Sequence, residues 1–123
     1  MVAIPRKVPK QTRTAFGVIR RHWPRHLAFI KQHECANPNC KAHPVDPAHV
    51  RKGTDGGKSL RPSDWFTIPL CRPCHDRQHR IGETSFERET GIEMKALALA
   101  MAKRSPDKRM QLAMKDSMRE SGL

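Results

Sequence analysis

Two closely spaced cysteine pairs, Cys35-x4-Cys40 and Cys71-x2-Cys74, most constrain what this chain can fold into. Each short spacing lets two thiolates reach one ion from a single turn, and two such pairs complete a tetrahedral shell around zinc. A nearby histidine, His33 or His43, is an alternative donor for one of the four positions. The spacing therefore predicts one structural Zn²⁺, held by Cys35, Cys40, Cys71 and Cys74.

The composition indicates that such a metal is needed. A chain of 123 residues makes about one domain. Only 37% of its residues are hydrophobic, and its aromatic residues are four Phe and two Trp. Ten prolines and seven glycines divide the chain into short elements. We expect one small, thin core, which a metal would have to reinforce.

The charge indicates a polyanionic partner. The chain has 24 Lys and Arg against 12 Asp and Glu, a formal net charge of +12. The excess lies in the first two-thirds, because residues 1–34 contain eight basic residues and one acidic residue. Such a balance is typical of proteins that bind nucleic acid. The sequence shows neither an apolar run of spanning length nor a secretory signal, so we expect a cytoplasmic protein with reduced thiols and no membrane partner.

Proline, glycine and apolar spacing predict a series of short elements. In chain order we expect a basic flexible arm over 1–21, a helix over 24–33, an extended segment over 45–50, a strand over 65–70, a helix opening at 71, a short helix over 84–91, and helices over 92–103 and 107–120. The short helix would begin with a capping box from Thr84 to Glu87, and the last with Ser105 as its N-cap. In that last helix, a stripe of Met110, Met114 and Met118 predicts packing within this chain or in a dimer.

Three histidines lie where they could carry chemistry. His49 falls at the end of the extended segment, and His75 directly follows the second cysteine pair. His79 is four residues further along the same helix, so both imidazoles lie on one face. Such a pair can hold one metal ion, although a solvated helix face explains it equally well.

The order of these motifs resembles the HNH (ββα-metal) nuclease superfamily. Within it, the chain looks like small phage and prophage proteins of the recombination-enhancing, RecA-dependent nuclease group. It covers residues 23–105 and is carried by segments 24–29, 47–51, 53–58, 61–71, 74–79, 82–86 and 91–92.

The resemblance implies a role for each matching residue. His49 would be the general base, and Asp64 would orient the His49 ring or brace the loop. His75 and His79 would bind a catalytic divalent ion, Mg²⁺ or Mn²⁺, with Zn²⁺ or Ni²⁺ as alternatives. Many members of the superfamily have a metal ligand immediately before the base, where this chain has Ala48. Asp46, on the same strand face as Ala48, could substitute.

The sequence thus predicts an α+β fold: a treble-clef, zinc-stapled ββα-metal core with helical flanks and a flexible basic N-terminal arm. Its parts would be the arm (1–21), a nuclease domain (22–105) and a C-terminal helix (106–123). The expected activity is metal-dependent hydrolysis of duplex or single-stranded DNA, linked to recombination, repair or DNA processing. Candidate DNA contacts are Arg51, Lys52, Lys58, Arg72, Arg77 and Arg80.

Two alternatives remain open at the level of the sequence. One is a non-catalytic, zinc-stabilised nucleic-acid-binding module, which explains the charge and the cysteines but not the three histidines. The other is an accessory factor that acts through a host recombinase, with the methionine-striped helix as its contact surface.

Overall fold

A computed structural model describes residues 21–57 and 60–122. The predicted arm therefore lies outside the described residues except for Arg21, and so does the candidate DNA contact Lys58. The described chain is mixed α+β, as predicted, with five helices and a two-stranded sheet. The elements are α1 (Pro24–Ile30), β1 (Val45–His49), β2 (Thr67–Cys71), α2 (Arg72–Ile81), α3 (Glu83–Thr90), α4 (Met94–Lys103) and α5 (Lys108–Ser121). Among these residues, no helix is long and apolar enough to cross a bilayer.

The sheet is an antiparallel pair in which β2 is the inner strand. All five residues of β2 are buried, whereas β1 is only partly buried. In the register, Ala48 lies opposite Ile68 and His49 opposite Thr67. Ala48 is fully buried against the core, while His49 remains partly exposed at the end of the strand. This end of the sheet therefore presents an imidazole beside the start of the following loop.

The buried side chains form two clusters rather than the single small core that the composition predicts. One cluster lies over the sheet and joins β1, β2, α3 and α4 through residues such as Val45, Ile68, Leu70, Phe86 and Ala98. The other packs α5 against the residues that precede α1 and β2, and it includes Trp23, Trp65, Phe66, Met110 and Met114. The C-terminal helix is thus packed on the body of the chain, and the methionine stripe contributes to that packing: Met110 and Met114 are buried in the cluster, and Met118 packs against it.

Two predicted helix starts are wrong. Helix α3 begins directly after Gly82, whose φ of +88° favours glycine, and no side chain caps it. Thr84 lies inside the helix and forms no capping box. Helix α5 is capped by Asp107, whose carboxylate accepts a hydrogen bond from the Met110 N–H at 3.1 Å. Ser105 lies before this cap, where its hydroxyl accepts a bond from the Asp107 N–H at 3.2 Å.

Candidate metal centre and histidine cavity

The four cysteines form one cluster. Their sulfur atoms all lie within 4.8 Å of one another, and Sγ of Cys40 is 3.5 Å from Sγ of Cys71. Sulfurs that share a tetrahedral zinc ion lie about 3.8 Å apart, because each Zn–S bond is about 2.3 Å. The cluster is therefore close enough to bind one metal ion, as the prediction of structural zinc requires. Neither His33 nor His43 belongs to it, since the donor atoms that lie together among the described residues are those of the four cysteines.

Local hydrogen bonds bring the two cysteine pairs together. The N–H of Cys35 donates to the Ala42 carbonyl at 3.0 Å, which closes the loop that carries Cys40. The second pair spans the junction of β2 and α2, with Cys74 in the first turn of the helix. The Asn37 side-chain amide donates to Sγ of Cys74 at 3.5 Å, a contact that the spacing alone does not predict.

Burial adds an electrostatic argument for a cation at this cluster. It raises the pKa of the Cys74 thiol to about 12, although the hydrogen bond from the Asn37 amide acts in the opposite direction. At neutral pH this thiol would stay protonated without a positive charge beside it. A bound metal ion supplies that charge and holds cysteine as the thiolate.

A second polar group lies at the end of the sheet, where His49 meets Asp64. Nε2 of His49 is 2.9 Å from Oδ1 of Asp64, whose side chain is only 2% exposed. The other carboxylate oxygen accepts the Trp23 backbone N–H at 2.6 Å. Burial alone would raise the pKa of Asp64, but the bonds from His49 and Trp23 outweigh it and hold that pKa below its usual value.

The ionised carboxylate fixes the tautomer of His49. A carboxylate can only accept, so the neutral imidazole carries its proton on Nε2 and leaves Nδ1 as an acceptor. No hydrogen bond from the described residues reaches that Nδ1. The Gln78 side-chain amide donates to the His49 carbonyl at 3.4 Å and ties the end of β1 to α2.

Contacts distant in sequence hold Asp64 in this position. Its backbone N–H donates to the Arg21 carbonyl at 2.9 Å. Asp55 accepts hydrogen bonds from the N–H of Ser63, at 2.9 Å, and from the Ser63 hydroxyl, and so fastens the loop just before Asp64. The loop is tight, because a Cβ at Gly56 would lie 2.5 Å from Cγ of Pro62. Only glycine fits there without a shift of the loop.

His22 is a partner of this carboxylate that sequence reasoning missed. Its Nδ1 lies 2.9 Å from Oδ2 of Asp64, so one buried carboxylate bridges two histidines. The two side chains differ in environment, since His22 is 63% exposed and His49 is 18% exposed. Because 42 positions separate His22 from Asp64, no local pattern could have indicated the contact.

The other two predicted histidines lie side by side on α2. Nε2 of His75 is 3.2 Å from Nε2 of His79. Nδ1 of His75 faces Asp46 at 3.1 Å, so its proton lies on Nδ1 and its Nε2 is an acceptor. Asp46 is thus behind His75 and does not form a three-donor group with the two histidines. In the ranges 21–57 and 60–122, the cysteine cluster is the one group of three or more such donors.

His49, His75 and His79 line one cavity of about 470 Å³. Its remaining wall is formed by Arg51, Arg61, Gln78, Gly82 and Glu83. Arg61 is exposed and also lines the adjoining cavity that contains His22 and Asp64. Its guanidinium has no hydrogen bond or ion pair with the described residues. No sequence pattern distinguishes Arg61 from the many other basic residues of the chain.

Most of the predicted DNA contacts have partners within the chain. Arg51 donates to the carbonyls of Gly57 and Leu60, and Lys52 pairs with Glu87 at 3.1 Å. The other pairs are Arg72 with Asp46 at 3.0 Å and Arg77 with Glu89 through two bonds of 2.6 and 2.5 Å. Of the two arginines that line the histidine cavity, Arg61 is therefore the one whose guanidinium has no hydrogen-bond partner among the described residues.

Comparison with known proteins places the chain in a family without assigning an activity. Residues 7–106 match the family described as "Protein of unknown function (DUF968)", and the chain belongs to that family. No curated protein and no solved structure is significantly similar to it. The family match covers the cysteine cluster and the histidine cavity, and it ends before α5.

Proposed function

We propose that the protein is a metal-dependent endonuclease of the HNH type that hydrolyses phosphodiester bonds in DNA. Its core would be a treble clef held by structural zinc at the four cysteines. One observation carries the proposal: His49, fixed by a buried carboxylate, lines the same cavity as the paired His75 and His79. If these three histidines had only a structural role, nothing would require them to line a common cavity.

His49 is suited to act as the general base. Its Nε2–H is held by Asp64, and its Nδ1 carries the lone pair that can accept a proton from water. As the water loses its proton, the ring becomes an imidazolium, which the ionised Asp64 stabilises. The same division of work between an imidazole and a buried carboxylate operates in hydrolases of unrelated fold.

The paired histidines on α2 fit a divalent ion. Two nitrogens that each lie about 2.05 Å from a tetrahedral ion are about 3.3 Å apart, close to the 3.2 Å between His75 and His79. Asp46 orients the His75 ring from behind, as outer partners of metal-bound histidines commonly do. A divalent ion here, Mg²⁺ or Mn²⁺ with Zn²⁺ or Ni²⁺ as alternatives, would stabilise negative charge on the phosphate.

Arg61 would hold the DNA backbone beside these groups. It lines the cavity wall and is free to form a charge-assisted hydrogen bond with a phosphate oxygen. Arg80, also exposed, is a second candidate. Four of the predicted DNA contacts would first have to exchange their present partners in the chain for phosphate oxygens; these are Arg51, Lys52, Arg72 and Arg77.

The biological setting follows from the resemblance alone. The small phage and prophage nucleases that this chain resembles take part in DNA recombination. We propose a related role in recombination, repair or DNA processing, in the cytoplasm, with a host recombinase as candidate partner.

The direct experiment is a DNA cleavage assay. Purified protein is incubated with supercoiled plasmid and with single-stranded circles, in the presence of Mg²⁺, Mn²⁺ or EDTA. We expect nicking that requires the divalent ion and weakens in His75→Ala and His79→Ala. Binding of DNA without cleavage under any metal would instead identify a zinc-stabilised binding module.

A further inference from the structure

A groove between the end of α4 and one face of α5 has no role in the proposed chemistry. It encloses about 690 Å³ and is lined by Lys103, Gln111, Met114, Lys115, Met118 and Arg119. None of these residues lines the histidine cavity. The inference drawn from this groove does not rest on the proposed function.

The floor of the groove is apolar. Met114 belongs to the buried cluster around Trp65 and Phe66, and Met118 packs against that cluster while remaining half-buried. The Gln111 amide donates to the carbonyls at the end of α4, at 3.2 Å to Ala102 and 2.9 Å to Lys103. Its N–H groups are therefore already engaged. Methionine side chains are flexible and polarisable, so such a floor can adapt to apolar side chains of several shapes.

The rim of the groove is cationic. Lys103 and Lys115 are exposed, and neither forms an ion pair with any residue that the structure describes. Arg119 has one weak contact, with Asp116 at 3.4 Å. An occupant should therefore carry negative charge at its edges and apolar groups at its centre.

We propose that this groove binds an acidic segment of a partner protein, one that places apolar side chains on Met114 and Met118 and carboxylates beside Lys103 and Lys115. Charge complementarity at the rim and the apolar floor together select this occupant. Nucleic acid satisfies only the rim, because a phosphate backbone offers no aliphatic groups to the methionines.

The chain itself supplies no such segment. Residues 1–20 contain five basic residues and no acidic one, so their charge does not complement the rim. A second copy of the chain could offer the groove only its densest acidic stretch, residues 83–93. Three of its carboxylates, however, are engaged in place: Glu83 by the Arg51 N–H, Glu87 by Lys52, and Glu89 by Arg77.

The test is a selection followed by a binding measurement on the full-length protein. A display library of random 15-residue peptides is selected on the wild type and counter-selected on the double variant Lys103→Glu/Lys115→Glu. The affinities of the enriched peptides are then measured by fluorescence anisotropy. Lys108→Glu/Arg109→Glu is the matched control, because both residues are exposed on α5 and do not line the groove. Circular dichroism establishes that both variants are folded.

We expect the selected peptides to combine Asp or Glu with Leu, Met or Phe. Each exposed ion pair is worth up to about fivefold in affinity, so reversal of both lysines should weaken binding by about tenfold or more. Met118→Lys should weaken binding too, whereas the control should stay within about twofold. The proposal is overturned if no peptide depends on the two lysines, if the enriched peptides lack acidic residues, or if the control weakens binding equally. It is also overturned if a single-stranded oligonucleotide displaces the peptides and itself loses affinity for the lysine variant.

Discussion

The buried carboxylate of Asp64 binds Nε2 of His49 at 2.9 Å, across 15 positions of sequence. This contact joins the end of β1 to the loop before β2, so that residues of both belong to one site. It also determines that Nδ1 is the nitrogen of His49 left as an acceptor.

Asp64→Asn should slow DNA nicking by roughly 10²-fold or more, because an amide neither fixes the tautomer of His49 nor stabilises its protonated ring. The KM for DNA should change by less than about threefold, since Asp64 is buried and does not reach the substrate. Steady-state nicking kinetics measure both quantities.

The control for Asp64→Asn is His22→Ala, which removes the other imidazole on the same carboxylate. It leaves the His49–Asp64 bond in place and should retain the rate within about threefold. Equal losses of rate in the two variants would show that the carboxylate acts through the whole cluster and not through His49.

Because the imidazole of His26 is buried, we expect the folded protein to lose stability at acid pH. Burial lowers the pKa of its imidazole from 6.5 to about 4, against the weaker opposite effects of Asp64 and Asp107. Between these values the unfolded chain binds a proton that the folded chain does not, so stability falls as the pH falls from 6.5 to about 4. The contribution reaches about 3 kcal/mol at the lower limit, since each pH unit is worth about 1.4 kcal/mol.

Thermal or urea unfolding at pH 7.5 and pH 5 measures this effect. His26→Gln should be less stable than wild type at pH 7.5, because the Ser105 contact at 2.9 Å is altered, yet it should lose less stability on acidification. His43→Gln, at an exposed position, is the control and should keep the wild-type slope. If His26→Gln had the wild-type slope, His26 would not be the titrating group.

The cysteine cluster predicts one tightly bound zinc ion per chain. Cys74→Ser should lose that zinc and unfold or precipitate, since a structural zinc site contributes on the order of 10 kcal/mol to folding. Elemental analysis and circular dichroism provide the readout, with the exposed Thr84→Ser as control. A folded, soluble Cys74→Ser protein without metal would refute the structural role.

Arg61→Gln should lower kcat/KM for DNA nicking by roughly ten- to a hundredfold, the usual worth of a hydrogen bond to a charged group. Arg109→Gln removes the same charge from α5 and should stay within about twofold. If both variants lost activity alike, the effect of Arg61 would be one of net charge and not of a contact in the cavity.

We expect the N-terminal segment, residues 1–14, to account for part of the salt dependence of DNA binding. Deletion of residues 1–14 removes Arg6, Lys7, Lys10 and Arg13. Each lost phosphate contact should reduce the slope of log K against log salt by about 0.9 on duplex DNA. An unchanged slope would exclude this segment from the DNA interface.

The sequence predicted features that depend on short spacings. The cysteine pairs lie four residues and two residues apart, and the structure brings their sulfurs together as those spacings require. His75 and His79 lie one helical turn apart, so their proximity follows from the geometry of α2. The family resemblance, and no spacing, implies that Asp64 orients the His49 ring or braces the loop; in the structure its Oδ1 lies 2.9 Å from Nε2 of His49.

Features that depend on distant contacts could not be predicted. His22 reaches Asp64 because the Arg21 carbonyl accepts the Asp64 N–H, a link that no local pattern reveals. The charge of Arg77 was visible in the sequence, but its two bonds to Glu89 were not. The helix cap at Asp107 was missed because Ser105, followed by Pro106, has equally favourable capping chemistry, and the side chain that accepts the Met110 N–H is that of Asp107.

The role of His49 as general base is tested by the rate at which His49→Ala nicks supercoiled plasmid in Mg²⁺ or Mn²⁺, beside wild type and His43→Gln. We expect His49→Ala to keep its zinc and its affinity for DNA but to cut roughly 10²–10⁴ times more slowly, the usual worth of a general base. His43→Gln, whose exposed ring does not line the cavity, should cut at the wild-type rate. A His49→Ala protein that cuts as fast as wild type, in a preparation free of other nucleases, would contradict the assignment.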